Sequence, residues 1–127
     1  MFGKKEKEVV DTIIGSRVEI QGKIISQASL RIDGKVIGDI ETSQSVIIGK
    51  EGYVEGNIKC KRISIVGKVK GNIISYENVE ILSTGRLEGD LKYGGKFSIE
   101  EGGVFLGKSE LIEEKSMIEE SKENIGL

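Results

Sequence analysis

The sequence predicts an all-β chain wound as a parallel β-helix (β-solenoid) of about six coils, with disordered segments at both ends. Three observations carry that expectation. First, one unit, Gly-x-apolar-x-Gly-polar-apolar, recurs over residues 34–40, 52–58, 67–73 and 85–91, with weaker forms over 18–24 and 103–107. Its second glycines stand at 22, 38, 56, 71, 89 and 107, so the steps are 16, 18, 15, 18 and 18 residues. Self-similarity at one short period marks a stack of units, none of which can bury its apolar face alone. Second, apolar and polar residues alternate within each segment, the two-residue period of a half-buried strand. A helical reading fits badly and would put costly glycines in helix interiors. Third, the residue after the second glycine is Asp39, Asn57, Asn72 or Asp90. These types suit a corner, where they are expected to hydrogen-bond their own backbone.

Taken in order, residues 1–11 lack the repeat and are expected to be a disordered tail. Met1 and Phe2, followed at once by Lys4 and Lys5, have the make-up of a small membrane foot. The apolar pair would enter the headgroup boundary and the lysines would face anionic lipid. A plain solvated terminus is the alternative. Two side chains worth at most ~2–3 kcal/mol each cannot anchor a monomer, whereas an array of such feet can, because each further contact is intramolecular.

The β-helix domain is expected over residues 12–108. Its first coil is read from Ile14, Ile20, Ile24 and Ser26, and its second from Leu30, Ile32, Val36, Ile40 and Thr42. The third takes Val46, Ile48, Val54, Ile58 and Cys60; the fourth takes Ile63, Ile65, Val69, Ile73 and Ser75. The fifth takes Val79, Ile81, Leu87, Leu91 and Tyr93, and the sixth Phe97, Ile99 and Phe105. Stacking these coils aligns the residues in columns, with β-branched side chains inside and glycines at the corners. The outward position before the second glycine reads Glu55, Lys70, Glu88, so stacked charges alternate in sign. Beyond Lys108 the repeat stops, and residues 109–127 read as an acidic disordered tail or a docking peptide for another protein. A helix over 110–122 would be too short to stand without a packing partner.

Composition excludes several functions. A length of 127 residues suits one domain. With no histidine, the commonest general base and metal ligand is missing. No phosphate-cradling glycine loop precedes a helix. We therefore expect no catalytic, cofactor-binding or metal-binding residues. One cysteine, Cys60, cannot form an internal disulfide and falls in a column of small interior residues, which fits a reducing cytoplasm. Net charge is −2, made of zero over residues 1–11, +2 over 12–108 and −4 over 109–127. A near-neutral body with an acidic tail does not suggest nucleic-acid binding. Lys59, Lys61, Arg62, Lys68 and Lys70 form the densest basic cluster, either a solvated face or a patch for an anionic partner. No segment reaches the roughly 18 apolar residues of a membrane span.

The ends of the solenoid are the candidate site. Soluble monomeric solenoids cap their first and last coils, and neither flank here offers a strong cap. The expected C-terminal contact surface comprises Phe105, Phe97, Tyr93, Ile99, Leu87 and Leu91; the N-terminal one comprises Ile14, Val18, Ile20 and Ile24. Joining like ends gives a non-polar filament and head-to-tail joining a polar one, and sequence alone does not choose between them.

The Met-Phe-Gly-Lys-Lys start, the Thr12-Ile13-Ile14-Gly15 opening, the repeated Gly-x-Val-x-Gly-Asn-Ile units and the acidic tail together resemble the bactofilins, polymer-forming bacterial cytoskeletal proteins. The resemblance implies a right-handed, three-sided β-helix that polymerises end to end, without nucleotide, into non-polar filaments. It also implies a cytoplasmic protein held peripherally on the inner face of the cell membrane through Met1, Phe2, Lys4 and Lys5. The implied role is a scaffold for cell shape or for cell-wall enzymes and other clients. The rival readings are a monomeric β-solenoid adaptor and an enzyme of the hexapeptide-transferase kind. The adaptor would need capped ends; the transferases repeat every six positions and use a histidine. Carbohydrate-cleaving β-helices need a carboxylate pair, for which Glu51, Glu55, Glu88 and Asp90 are the candidates.

Overall fold

The computed structural model describes residues 10–112. Among these residues the regular elements are eighteen strands, three per coil. The first coil holds β1 (Val10–Ile14), β2 (Glu19–Gln21) and β3 (Ile24–Ser26), and the second β4 (Ser29–Ile32), β5 (Lys35–Ile37) and β6 (Ile40–Thr42). The third holds β7 (Ser45–Ile48), β8 (Tyr53–Glu55) and β9 (Ile58–Cys60), and the fourth β10 (Arg62–Ile65), β11 (Lys68–Lys70) and β12 (Ile73–Ser75). The fifth holds β13 (Val79–Ile81), β14 (Arg86–Glu88) and β15 (Leu91–Tyr93), and the sixth β16 (Phe97–Ile99), β17 (Val104–Leu106) and β18 (Ser109–Leu111).

Each strand pairs in parallel with its counterpart one coil away, giving three six-stranded sheets that form the three sides of a solenoid. The fold class expected from the repeat is the one found. The columns hold residue for residue: Ile14↔Ile32↔Ile48 on the first side, Val54↔Val69↔Leu87 on the second, and Ile58↔Ile73↔Leu91 on the third. Their side chains meet in one interior core, where Ile32, Val36, Ile48, Val54, Ile65, Ile81 and Leu87 are fully buried. Burying a side chain of this size stabilises by ~1.5–3 kcal/mol, and here every inner coil repeats the gain.

The third side also carries the column Ser26, Thr42, Cys60, Ser75, Tyr93. Small polar residues are tolerated there because they satisfy corner carbonyls. Thr42 Oγ1 donates to Ala28 O (2.7 Å) and Ser75 Oγ to Lys61 O (2.9 Å). Cys60 is buried in this column, and burial pushes its thiol pKa up to about 12.

The corner between the second and third sides is the same in every coil: a glycine and one further residue. Gly38, Gly56, Gly71 and Gly89 have φ between +143° and +152°, and a Cβ on Gly71 would fall on the carbonyl oxygen of Gly56. Only glycine fits both demands. The residue after each glycine makes a ladder along the solenoid. The N–H groups of Asn57, Asn72, Asp90 and Lys108 donate to Oδ1 of Asp39, Asn57, Asn72 and Asp90, at 2.9, 3.0, 2.9 and 3.1 Å. This corrects the expectation that these side chains bond their own backbone. The flanking amides pair with the neighbouring coil's carbonyls, so the corner amide is left to the side chain one coil earlier.

The unequal steps of the repeat arise at the other two corners. Between the first and second sides the link is four residues long in most coils, but two at Asp33-Gly34 and at Val66-Gly67. Between the third and first sides only Lys61 links β9 to β10, against two or three residues elsewhere. The 15-residue step contains both short links. The strands also run past both expected domain boundaries: β1 begins at Val10 and β18 extends to Leu111. Backbone pairing continues there after the apolar pattern lapses, as Leu91↔Ser109 shows.

Candidate functional site

Among the described residues, the solenoid has two end faces, where a row of strand edges and the columns of the core come to an end. On the C-terminal face the edges belong to β16, β17 and β18. Phe97 is half-buried between Tyr93 (ring centroids 5.4 Å apart) and Phe105 (5.3 Å, planes at 87°). Ile99 and Leu111 complete the surface, 44% and 52% exposed. Phe97, Ile99, Phe105 and Leu111 occupy core columns on the last coil, so their exposure follows from standing at the end of a column rather than from an outward orientation; Tyr93 lies one rung inward, beneath Leu111.

On the N-terminal face, Ile20 and Ile24 are half-buried and head the columns of Val36 and Ile40. Ile14 is nearly covered at 6% exposure, and Val18, in a corner, is 45% exposed. Polar residues interrupt this face: Thr12 heads the column of Leu30 and Ser26 that of Thr42. The edge is irregular as well, because the β1–β4 register shifts between Val10 and Thr12.

The expected residues therefore divide. Phe105, Phe97 and Ile99 lie on the last coil at one end, with Tyr93 half-buried one rung inward beneath Leu111, and Ile14, Val18, Ile20 and Ile24 lie at the other end. Leu87 and Leu91 do not reach the surface. They lie one rung inward, beneath Phe105 and Ser109, fully buried. Leu111 was missed because Ser109 and Glu110 break the apolar lead that marked the earlier strands; its place in the Tyr93 column was the available signal. Met1, Phe2, Lys4 and Lys5 lie outside the described residues, as do residues 113–127.

The remaining candidates do not converge. Lys59 faces outward on the third side, Lys61 and Arg62 reach Glu77 (3.9 and 2.8 Å), and Lys68 and Lys70 lie on the second side. The basic cluster of the sequence is thus spread over different faces. A groove of about 640 Å³ at the third corner is lined by both signs of charge, including Glu41, Lys59, Lys61 and Glu77. Lys70 does stand in register between Glu55 and Glu88, yet each glutamate takes its short bond within its own strand. Tyr53 Oη donates to Glu55 (2.9 Å) and Arg86 Nε to Glu88 (2.6 Å). The Arg86 bond holds the Glu88 carboxyl below its ordinary range. Asp90 is engaged in the corner ladder and Glu51 sits in a corner link, so these four carboxylates form no pair. Among the described residues no group of His, Cys, Asp or Glu is arranged to hold a metal ion, and no helix is long and apolar enough to cross a membrane.

Three comparisons bear on this geometry. Residues 12–110 match the family model described as "Bactofilin: Polymer-forming cytoskeletal". Bactofilin BacO of Myxococcus xanthus (strain DK1622) is 32% identical over 64 residues, 50% of this chain and 51% of BacO. The chain thus aligns with about half the length of that relative. A cryo-EM reconstruction of Thermus thermophilus bactofilin double helical filaments superimposes with a TM-score of 0.75 at 30% identity, covering 80% of this chain and 99% of that one. A three-sided solenoid and a family match across nearly all its coils lead to one assignment: the chain belongs to the bactofilins, a family of polymer-forming cytoskeletal proteins.

Proposed function

We propose that the chain assembles end to end, without nucleotide, into non-polar filaments that lie on the inner face of the cell membrane and serve as a scaffold for cell shape or cell-wall machinery. The observation that carries this reading is the pair of end faces where, among the described residues, core columns end on partly buried apolar side chains such as Phe105 and Ile24. Covering them with another copy continues the sheets and the core together. The filaments reconstructed for the similar Thermus protein support the same reading.

Register favours like ends meeting. A head-to-tail joint that continued the columns would set Phe97 over Thr12, Ser109 over Ile24 and Leu111 over Ser26. It would also set Lys108 against Lys23 on the corner ladder, where neither side chain can accept an amide. Three apolar–polar mismatches and a like-charge contact disfavour that stacking. For membrane association, the support is Met1 and Phe2 beside Lys4 and Lys5. A filament of like ends would bring these tails out in pairs, raising their local density.

Negative-stain microscopy of the purified protein, with and without nucleotide, tests the reading. Filaments of equal length in both conditions are expected. Single particles at high concentration would favour the monomeric adaptor, and nucleotide-dependent filaments would overturn nucleotide-free assembly.

A further inference from the structure

We infer that the two end faces are unequal partners: the C-terminal face makes the tighter joint, so the smallest stable species is a two-fold dimer joined through Phe97, Ile99, Phe105 and Leu111. This rests on the end-to-end reading above and adds an order of assembly to it. The occupant of the C-terminal face is a second copy of the same face.

Two independent features set the order. The first is the side chains. The C-terminal face offers Phe97 and Phe105 packed edge to face, with the Tyr93 ring against Phe97 one rung beneath and Ile99 and Leu111 about half exposed beside them. Its core positions are apolar except for Ser109. At the N-terminal face Ile14 is already buried, at 6% exposure, and Thr12 and Ser26 put hydroxyls in core columns. More apolar surface therefore leaves water at the C-terminal joint, and in the ring-rich form that dominates interface cores.

The second feature is the backbone. The last coil presents three strands in unbroken register with the coil before. The first coil presents β1 with a register shift between Val10 and Thr12, and the intervening Asp11 is exposed. A bulge and a charge on an edge are devices that hinder strand addition. A joint at that edge must form around an irregular strand, whereas the C-terminal joint forms on three regular ones. The dimer so made displays both of its N-terminal faces outward, and filaments then grow by adding dimers through the weaker joint.

Charged substitutions on each face separate the two joints. Ile24→Arg blocks the N-terminal face and should leave dimers that persist at concentrations at least tenfold below those at which the wild type forms filaments. Phe105→Arg blocks the C-terminal face and should give monomers over that same range. Sedimentation velocity and mass photometry read the sizes. Circular dichroism establishes that each variant folds, and Thr12→Arg and Leu111→Arg, on exposed positions of the same faces, replace either variant that does not. A dimeric Phe105→Arg with a monomeric Ile24→Arg would overturn the order, as would variants that dissociate at the same concentration. Wild-type protein that stays monomeric throughout would instead sink the end-to-end reading itself.

Discussion

Phe97 meets Phe105 edge to face on the last coil, ring centroids 5.3 Å apart, although the two belong to different sides of the solenoid. Where the inner coils fill these columns with Val79 and Leu87, the terminal coil widens each to a ring. Offset and perpendicular ring pairs add to the stabilisation from burial, so the last coil is stiffened by its own side chains while still presenting them.

Phe105→Arg is expected to leave the monomer folded and to stop filament formation. The residue is only half-buried, so the cost to the fold is about 1–2 kcal/mol, whereas a guanidinium trapped at the joint is unpaired and desolvated. Short soluble species in electron micrographs, with an unchanged β-sheet circular dichroism spectrum, are the expected result; filaments of normal length would contradict it.

Deleting residues 1–7 is expected to abolish co-sedimentation with anionic liposomes while filaments persist, because the end faces begin at Val10. Unchanged sedimentation would refute the membrane foot.

Gly71→Ala is expected to destabilise the fold by about 2–5 kcal/mol, from left-handed strain and from the clash with the Gly56 carbonyl oxygen. Asn72→Ala next to it should cost only about 1 kcal/mol, since the Asp90 amide it leaves is near water. Urea melts of the two variants give the comparison, and equal losses would remove the special role assigned to the glycine corner.

Cys60 is expected to resist maleimide at pH 8 in the native protein and to react at once in denaturant, because it is 1% exposed and its pKa is pushed up to about 12. The sign for stability follows from the raised value. The contribution is fully present below the unfolded thiol pKa near 9 and is lost as pH rises from there toward about 12. Urea midpoints that stay level across that interval would argue against a buried neutral thiol.

Most of the fold was legible because a solenoid repeats its physics: Ile32, Ile48, Ile65 and Ile81 face the same environment, and a column needs no knowledge of long-range topology. The corners were less legible. That Asn72 serves the amide of Asp90 rather than its own depends on the stacking distance between coils, which a linear pattern does not carry. The end faces were legible in composition but not in depth: Leu87 and Phe105 share a column, and only counting rungs tells which one meets solvent. The charge cluster at 59–70 was misleading because three strands and two corners turn its lysines to different sides.

The variable corner links have a practical consequence. The ridge is four residues long at Gly49–Gly52 and two at Val66–Gly67, and the strands on either side of both links keep their register, while the glycine ridge keeps one length throughout. A fluorescent or affinity tag spliced between Lys50 and Glu51, both exposed, would ride on the outside of a working polymer. The same insert after Gly71 would act as a wedge between neighbouring turns of the spring.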